Sequence, residues 1–230
     1  MSVHIRERFE RKLSELRDRI LHIGSLVEQE MTLALTAFEG LDRALAREVF
    51  ALDEQVNAER FEVEDLCLQL IVTQQPMARD LRLIVTAITM VVDLERMGDQ
   101  AKGVAKVIPH LHDHLELVKP PELKEMGVLV RSMISQAMEA YATSNVELAA
   151  TIPPMDDDVD RLYAKVFTQI MYMMTEVKDP HQAESTYELL RVARELERYG
   201  DLATNVAERV VYMVTGEMVE TNVDRVDWAE

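Results

Sequence analysis

Two short acidic strings in this 230-residue chain have the residue types and spacing for metal chemistry: Asp93-Leu-Glu-Arg-Met-Gly-Asp99 and Glu195-Leu-Glu-Arg-Tyr-Gly-Asp201. On a helix, Glu95 and Asp99 fall one turn apart on one face, as do Glu197 and Asp201. Like charges so placed destabilise the helix unless something positive lies between them. Two further pairs of oxygen-bearing side chains share the spacing, Asp53 with Asn57 and Asp156 with Asp160. If the flanking stretches fold back as helical hairpins, Asn57 and Glu95 are equidistant from Pro76, and so are Asp53 and Asp99. Asp160 with Glu197, and Asp156 with Asp201, are centred in the same way beside Asp179-Pro180. Each hairpin then gathers four oxygen-bearing side chains about 28 Å from its turn, at a rise of about 1.5 Å per residue. Clustered carboxylates in a half-buried layer must take up protons, pair with cations or bind metal. Oxygen-only ligands suit hard or borderline cations such as magnesium, calcium, manganese or iron, and carboxylates can bridge more than one ion. Gly98 and Gly200, each costing about 1 kcal/mol relative to alanine inside a helix, fit places where an ion or a partner helix comes close.

A lone Glu-x-x-x-Asp is usually a solvated helix face, Asp156-Asp-Asp158 is what a helix start favours, and Arg96 and Arg198 could pair with nearby acids. Repetition and the neighbouring residues weigh against that reading. Behind Glu95 and Asp99 an apolar stripe runs back through Val92, Ile88, Ile84 and Leu81, whereas Arg82, Thr86, Thr89, Asp93 and Gln100 make the polar side. The two acids therefore face the bundle, and Asp93 points elsewhere. The stripe behind Glu197 includes Arg194, which predicts a wetter second site. Neutral Asn57 stands where the second half has Asp160, which predicts weaker metal binding in the first half.

The elements that must position these groups are helices. Seven Gly and seven Pro in the whole chain, with abundant Leu, Ala, Met, Glu and Arg, mark an all-α fold. Breaks at Gly40-Leu-Asp42, Gln75-Pro76, Pro120-Pro121, Pro153-Pro154, Asp179-Pro180 and Gly216 divide it. They predict long helices over about residues 4–38, 52–74 and 76–116, then 122–144, 154–178 and 180–215, with a short connecting helix in each half. The halves also align outside the acidic strings, Leu52-Asp-Glu-Gln-Val-Asn57 with Met155-Asp-Asp-Asp-Val-Asp160 and Leu45-Ala-Arg-Glu-Val49 with Leu148-Ala-Ala-Thr-Ile152. Internal duplication accounts for this, giving two tandem, pseudo-symmetric three-helix bundles over 1–118 and 122–216, end to end or side by side, with a tail at 217–230.

A net charge of −17 argues against a nucleic-acid-binding surface. The single Cys67 allows no internal disulfide, and neither a secretory leader nor an apolar run of about 18 residues is present. These features predict a cytoplasmic protein, peripheral to membrane complexes at most. The sequence shows no glycine-rich phosphate loop, Ser/His/Asp set or activated cysteine.

The two Glu-Arg-x-Gly-Asp strings, Gln75-Pro-Met-Ala-Arg-Asp-Leu-Arg82 before the first, the Asp-x-x-Val-Asn/Asp segments and the twofold three-helix organisation together resemble the PhoU family over about residues 5–216. The resemblance implies a cytoplasmic negative regulator of phosphate uptake and phosphate-starvation signalling, a homodimer and not an enzyme. Its partners would be the ATPase of the phosphate-specific ABC transporter and a phosphate-responsive sensor histidine kinase. It also implies multinuclear iron or zinc, with manganese or magnesium as further candidates, at Glu95, Asp99, Glu197 and Asp201, with Asp53, Asn57, Asp156 and Asp160 opposite. The second half departs from the pattern in beginning its last helix with Asp179-Pro-His-Gln-Ala.

Two other segments carry readings of their own. His110 and His114 are spaced to chelate a metal but suit a helix C-terminus as well. Met171-Tyr-Met-Met174 reads as core filler. The rival functional class is a carboxylate-bridged metal bundle with oxidase or metal-storage activity. That architecture takes a histidine three residues after its glutamate, where this chain has Gly98 and Gly200.

Overall fold

The structure, a computed structural model, describes residues 2–111 and 118–218, with side chains described from Arg6 onward. Its elements are α1 (Ser2–Gly40), α2 (Arg43–Gln74), α3 (Arg79–Val107) ending in a 3-10 turn at Ile108–His110, then α4 (Pro121–Thr143), α5 (Val146–Ala149), α6 (Ile152–Glu176) and α7 (Pro180–Thr215). Among the described residues there is no strand. Helices α1 to α3 form one three-helix bundle, and α4, α6 and α7 form a second.

Side chains and backbone conformations at the ends explain where the helices start and stop. Asp42 caps α2 by accepting from the amides of Ala44 and Leu45 at 2.7 and 3.1 Å, and Asp179 does the same for α7 through His181 and Gln182. Gln75 ends α2 in the left-handed region, and Ala78 has a φ of 49°, so the first hairpin turns over several residues and α3 begins at Arg79 rather than beside Pro76. The expected short connecting helix exists only in the second half. There Pro153 and Pro154 lie in the first turn of α6, the one place a helix accepts them, so α5 must stop before them. Phe50 and Ala51 hold those positions in the first half, nothing breaks the chain, and the short segment fuses into α2.

The two bundles lie side by side, with α3 packed against α7 and α1 against α4. This arrangement corrects the polar side assigned to α3. Thr86 and Asp93 are buried, because the face that carries them meets α7 and not water. Burial raises the Asp93 pKa, and Arg209 and Arg96 oppose the shift. The α7 stripe Leu189, Val192, Leu196, Tyr199, Ala203 and Val206 has no exposed surface, and the Tyr199 hydroxyl donates to the Val27 carbonyl of α1 at 3.4 Å. Each such aliphatic side chain contributes about 1.5–3 kcal/mol on burial.

The other face of α3 is less enclosed than its apolar residues suggest. Ile84 is buried, Ile88 and Val92 are half-buried and Leu81 is exposed, so Glu95 and Asp99 lie at the border of the first bundle rather than in its interior. The Met171-Tyr-Met-Met174 segment is likewise not core. Met171, Tyr172 and Met174 are exposed near the tip of the second hairpin, and of the four only Met173 packs against the core. His114, the end of the helix expected to reach residue 116, and the tail from residue 219 onward lie outside the described residues. His110 Nδ1 stands 3.3 Å from Glu184 Oε1.

Candidate metal centres in the two bundles

In the first bundle the expected side chains gather around a lysine. Lys102, one turn beyond Asp99 on α3, places Nζ 2.7 Å from Asp99 Oδ1 and 2.7 Å from Asp53 Oδ2 on α2. Asn57 Nδ2 donates to the same Asp53 Oδ2 at 3.2 Å and to the Asp53 carbonyl at 2.9 Å. Glu95 turns instead to Arg60, 3.3 Å away, and Arg60 also holds Glu64. Burial works against the Lys102 ammonium, but the hydrogen bonds and charges of Asp53 and Asp99 outweigh it and raise its pKa. Beneath this group lies an acid that the hairpin argument missed. Glu30 of α1 is fully buried, and among the described residues neither of its oxygens has a hydrogen-bond partner. Burial pushes its pKa up to about 9, with the Asp53 and Asp99 charges adding to the shift and Lys102 opposing it.

The second bundle gathers its acids differently. Asp156 on α6 is buried, and the charged groups acting on it are all carboxylates: Asp201, Asp160 and Glu197. Burial first and those charges second push its pKa up to about 7, while the nearby Thr204 hydroxyl favours the ionised form. Glu197 is also raised, by burial and by Asp201 and Asp160, against Arg198 and Arg194. All four expected residues of this half therefore lie within electrostatic reach of one another. The two sites do not differ consistently in exposure: Asp201 is half-buried where Asp99 is exposed, Asp160 is exposed where Asn57 is half-buried, and Arg194 itself is exposed.

Both motif glycines make room for a carboxylate. A Cβ on Gly98 would stand 2.9 Å from Glu30 Oε2, with Val56 next to it, and one on Gly200 would stand 2.7 Å from Asp156 Oδ1, with Met133 and Val159 next to it. Val56 and Val159 occupy matching positions, so the contacts also show that Met133 of α4 stands where α1 has Glu30. Matching the bundles further places Thr204 at the position of Lys102 and Tyr163 at that of Arg60. Two signals for these residues were in the sequence. Glu30 is an acid on the apolar face that carries Ile20, Ile23, Val27 and Ala34, and Lys102 is found by continuing the alignment of the repeated strings one turn past the aspartate.

Among the described residues no three His, Cys, Asp or Glu side chains already converge closely enough to hold an ion, so a ligand set would be completed by side-chain rotation. The second bundle fits a hard cation chemically, with four carboxylates on two facing helices whose mutual repulsion already disfavours the ionisation of Asp156 and Glu197. In the first bundle the equivalent place between Asp53 and Asp99 holds an ammonium.

Comparison with known proteins bears on both bundles. The family model described as PhoU domain matches twice, over residues 20–108 and 123–210, one match on each bundle. The chain is 37% identical over 220 residues to the phosphate-specific transport system accessory protein PhoU homolog of Clostridium acetobutylicum, across 94% of this chain and 99% of that one. Against the Pseudomonas putida protein of the same description it is 34% identical over 214 residues, across 93% of this chain and 83% of that one. Among solved structures, PhoU from Pseudomonas aeruginosa superposes with a TM-score of 0.86 at 33% identity, over 91% of this chain and 100% of that one. The phosphate transport system regulatory protein PhoU from Streptococcus pneumoniae gives 0.85 at 29% identity, over 92% and 99%.

Proposed function

This chain belongs to the PhoU family, and from that premise we propose that it is a negative regulator of phosphate uptake and of phosphate-starvation signalling. In this reading it works on the cytoplasmic side as a homodimeric adaptor between the ATPase of the phosphate-specific ABC transporter and a phosphate-responsive sensor histidine kinase. The observation that carries the reading is the family match on both bundles, with relatives described as accessory proteins of the phosphate-specific transport system across nearly their whole length. Among the described residues no helix is long and apolar enough to cross a membrane, so an adaptor of this build would meet transport machinery by docking. Exposed apolar side chains are available for that near both hairpin tips, Leu68, Val72 and Met77 on one and Met171, Tyr172 and Tyr187 on the other.

The family is one of accessory and regulatory proteins, and the chain is not an enzyme. Metal in the second bundle would be held by Asp156, Asp160, Glu197 and Asp201, and its chemistry would be that of a divalent or ferric cation tying α6 to α7 beside a docking surface. An oxidase reading has no support at the glycines, since Gly98 and Gly200 stand where a ligating histidine is needed and are filled by carboxylates instead.

The test is genetic. In cells lacking the chain, phosphate-starvation genes should stay on in high phosphate, and re-expression should switch them off. A deletion strain that represses those genes normally would reject the assignment.

A further inference from the structure

We propose that the acidic layer of the first bundle is closed by a cation of its own, the Lys102 ammonium, and takes no metal ion, so that metal binding by this chain is confined to the second bundle. The inference rests on the metal reading given above for the second bundle and limits it to that half.

Lys102 does what a bridging ion would do. Its Nζ contacts one carboxylate from α2 and one from α3, each at 2.7 Å, and so ties the two helices across the layer. Other groups of the layer are engaged as well. Asp53 Oδ2 accepts from Asn57 as well as from Lys102, the Asn57 amide points its donors at Asp53 and its carbonyl, and Glu95 is taken by Arg60. A divalent ion entering here would have to break these contacts and lie against an ammonium whose side chain is only 16% exposed and whose partner Asp53 is 9% exposed.

The second bundle lacks each of these devices at the matching positions. Thr204 replaces Lys102, Tyr163 replaces Arg60, and Asp160 replaces the amide-bearing Asn57. The substitutions go together with one on the neighbouring helix, where Glu30 in the first bundle becomes Met133 in the second. A buried carboxyl beneath the layer accompanies a covalently supplied cation, and where the carboxyl is gone the cation is gone too. The internal duplication thus holds one layer with a lysine between its aspartates and one with a threonine at the matching position.

The experiment is a Mn²⁺ titration of the metal-free full-length chain, read by bound metal per chain and by thermal unfolding. It covers the wild type, Glu197→Ala with Asp201→Ala, Lys102→Thr, and Lys102→Thr combined with the double substitution. The wild type should show one class of site that the double substitution abolishes. Lys102→Thr should add a second class, kept in the combined variant, lost on further Asp53→Ala, and visible as an Mn²⁺-dependent rise in melting temperature. Circular dichroism confirms that the variants are helical, and Lys102→Gln, neutral but of similar reach, serves if Lys102→Thr is not. Stoichiometric Mn²⁺ that survives Glu197→Ala with Asp201→Ala and disappears on Asp53→Ala or Glu30→Gln would overturn this inference and leave the second-bundle reading standing. Absence of Mn²⁺ binding from every variant would overturn both.

Discussion

The first and second bundles descend from one pattern and hold their acids at matching positions, yet they neutralise them by different means. In the first, Lys102 lies between Asp53 and Asp99, Arg60 takes Glu95, and Glu30 is packed beneath Gly98. In the second, Asp156 occupies the space that Gly200 leaves and feels three other carboxylates. The spacing of the repeated string therefore decides where acids collect but not what balances them. That is decided by residues outside the string, at positions 30, 60 and 102 and at their counterparts 133, 163 and 204.

The contrast can be broken by removing its pivot. Lys102→Met leaves Asp53 buried without its ammonium and should destabilise the metal-free chain by about 3 kcal/mol in urea unfolding, whereas Thr204→Val should cost about 1 kcal/mol or less. Comparable losses at the two positions would mean that the layers are equivalent after all.

The pH dependence of stability should separate the bundles next. Burial raises Glu30 from its ordinary 4.5 to about 9, so the folded chain keeps a proton that the unfolded chain releases. Stability from this group is complete below about pH 4.5 and is lost as the pH climbs through about 9. For Asp156 the same argument gives a loss from about pH 3.8 to about pH 7. Glu30→Gln should flatten the slope between about pH 4.5 and 9 and Asp156→Asn the slope between about pH 3.8 and 7, each by up to about 1.4 kcal/mol per pH unit. An alkaline slope unchanged in Glu30→Gln would show that this carboxyl is ionised in the folded chain.

A smaller effect sharpens the comparison at the ligands. Asp160→Asn copies the first bundle into the second and should weaken Mn²⁺ binding there about tenfold, roughly 1.4 kcal/mol. Asn57→Asp copies the second into the first and should add no metal while Lys102 is present. A metal site created by Asn57→Asp alone would make residue 57, and not residue 102, the deciding position.

The smallest changes are expected at the glycines. Gly200→Ala forces the Asp156 carboxylate to turn away, and Gly98→Ala does the same to Glu30, since both conflicts are with side-chain tips. Each variant recovers up to about 1 kcal/mol of helix propensity, so net stability should change little. Metal affinity should fall for Gly200→Ala and not for Gly98→Ala.

Much of this was legible from residue order. Prolines and capping acids marked the helix ends, and the repeated string with its partners in α2 and α6 marked the two layers. What escaped depended on contacts between distant segments. The polar side of α3 proved buried because α7 covers Thr86 and Asp93, a docking that no periodicity within α3 can report. Glu30 escaped because a hairpin argument pairs α2 with α3 and leaves out α1. Met171-Tyr-Met-Met174 was misread because apolar composition does not say whether a helix end is covered.

Whether Lys102 stands in for a metal ion in the first layer while the second layer binds one can be seen by anomalous diffraction from crystals grown with Mn²⁺. A manganese peak is expected between α6 and α7 near Asp156 and Asp201, and at the matching place in the first bundle the Lys102 side chain in density between Asp53 and Asp99. Manganese peaks of similar height in both bundles, or a peak beside Asp53 with Lys102 displaced, would contradict it.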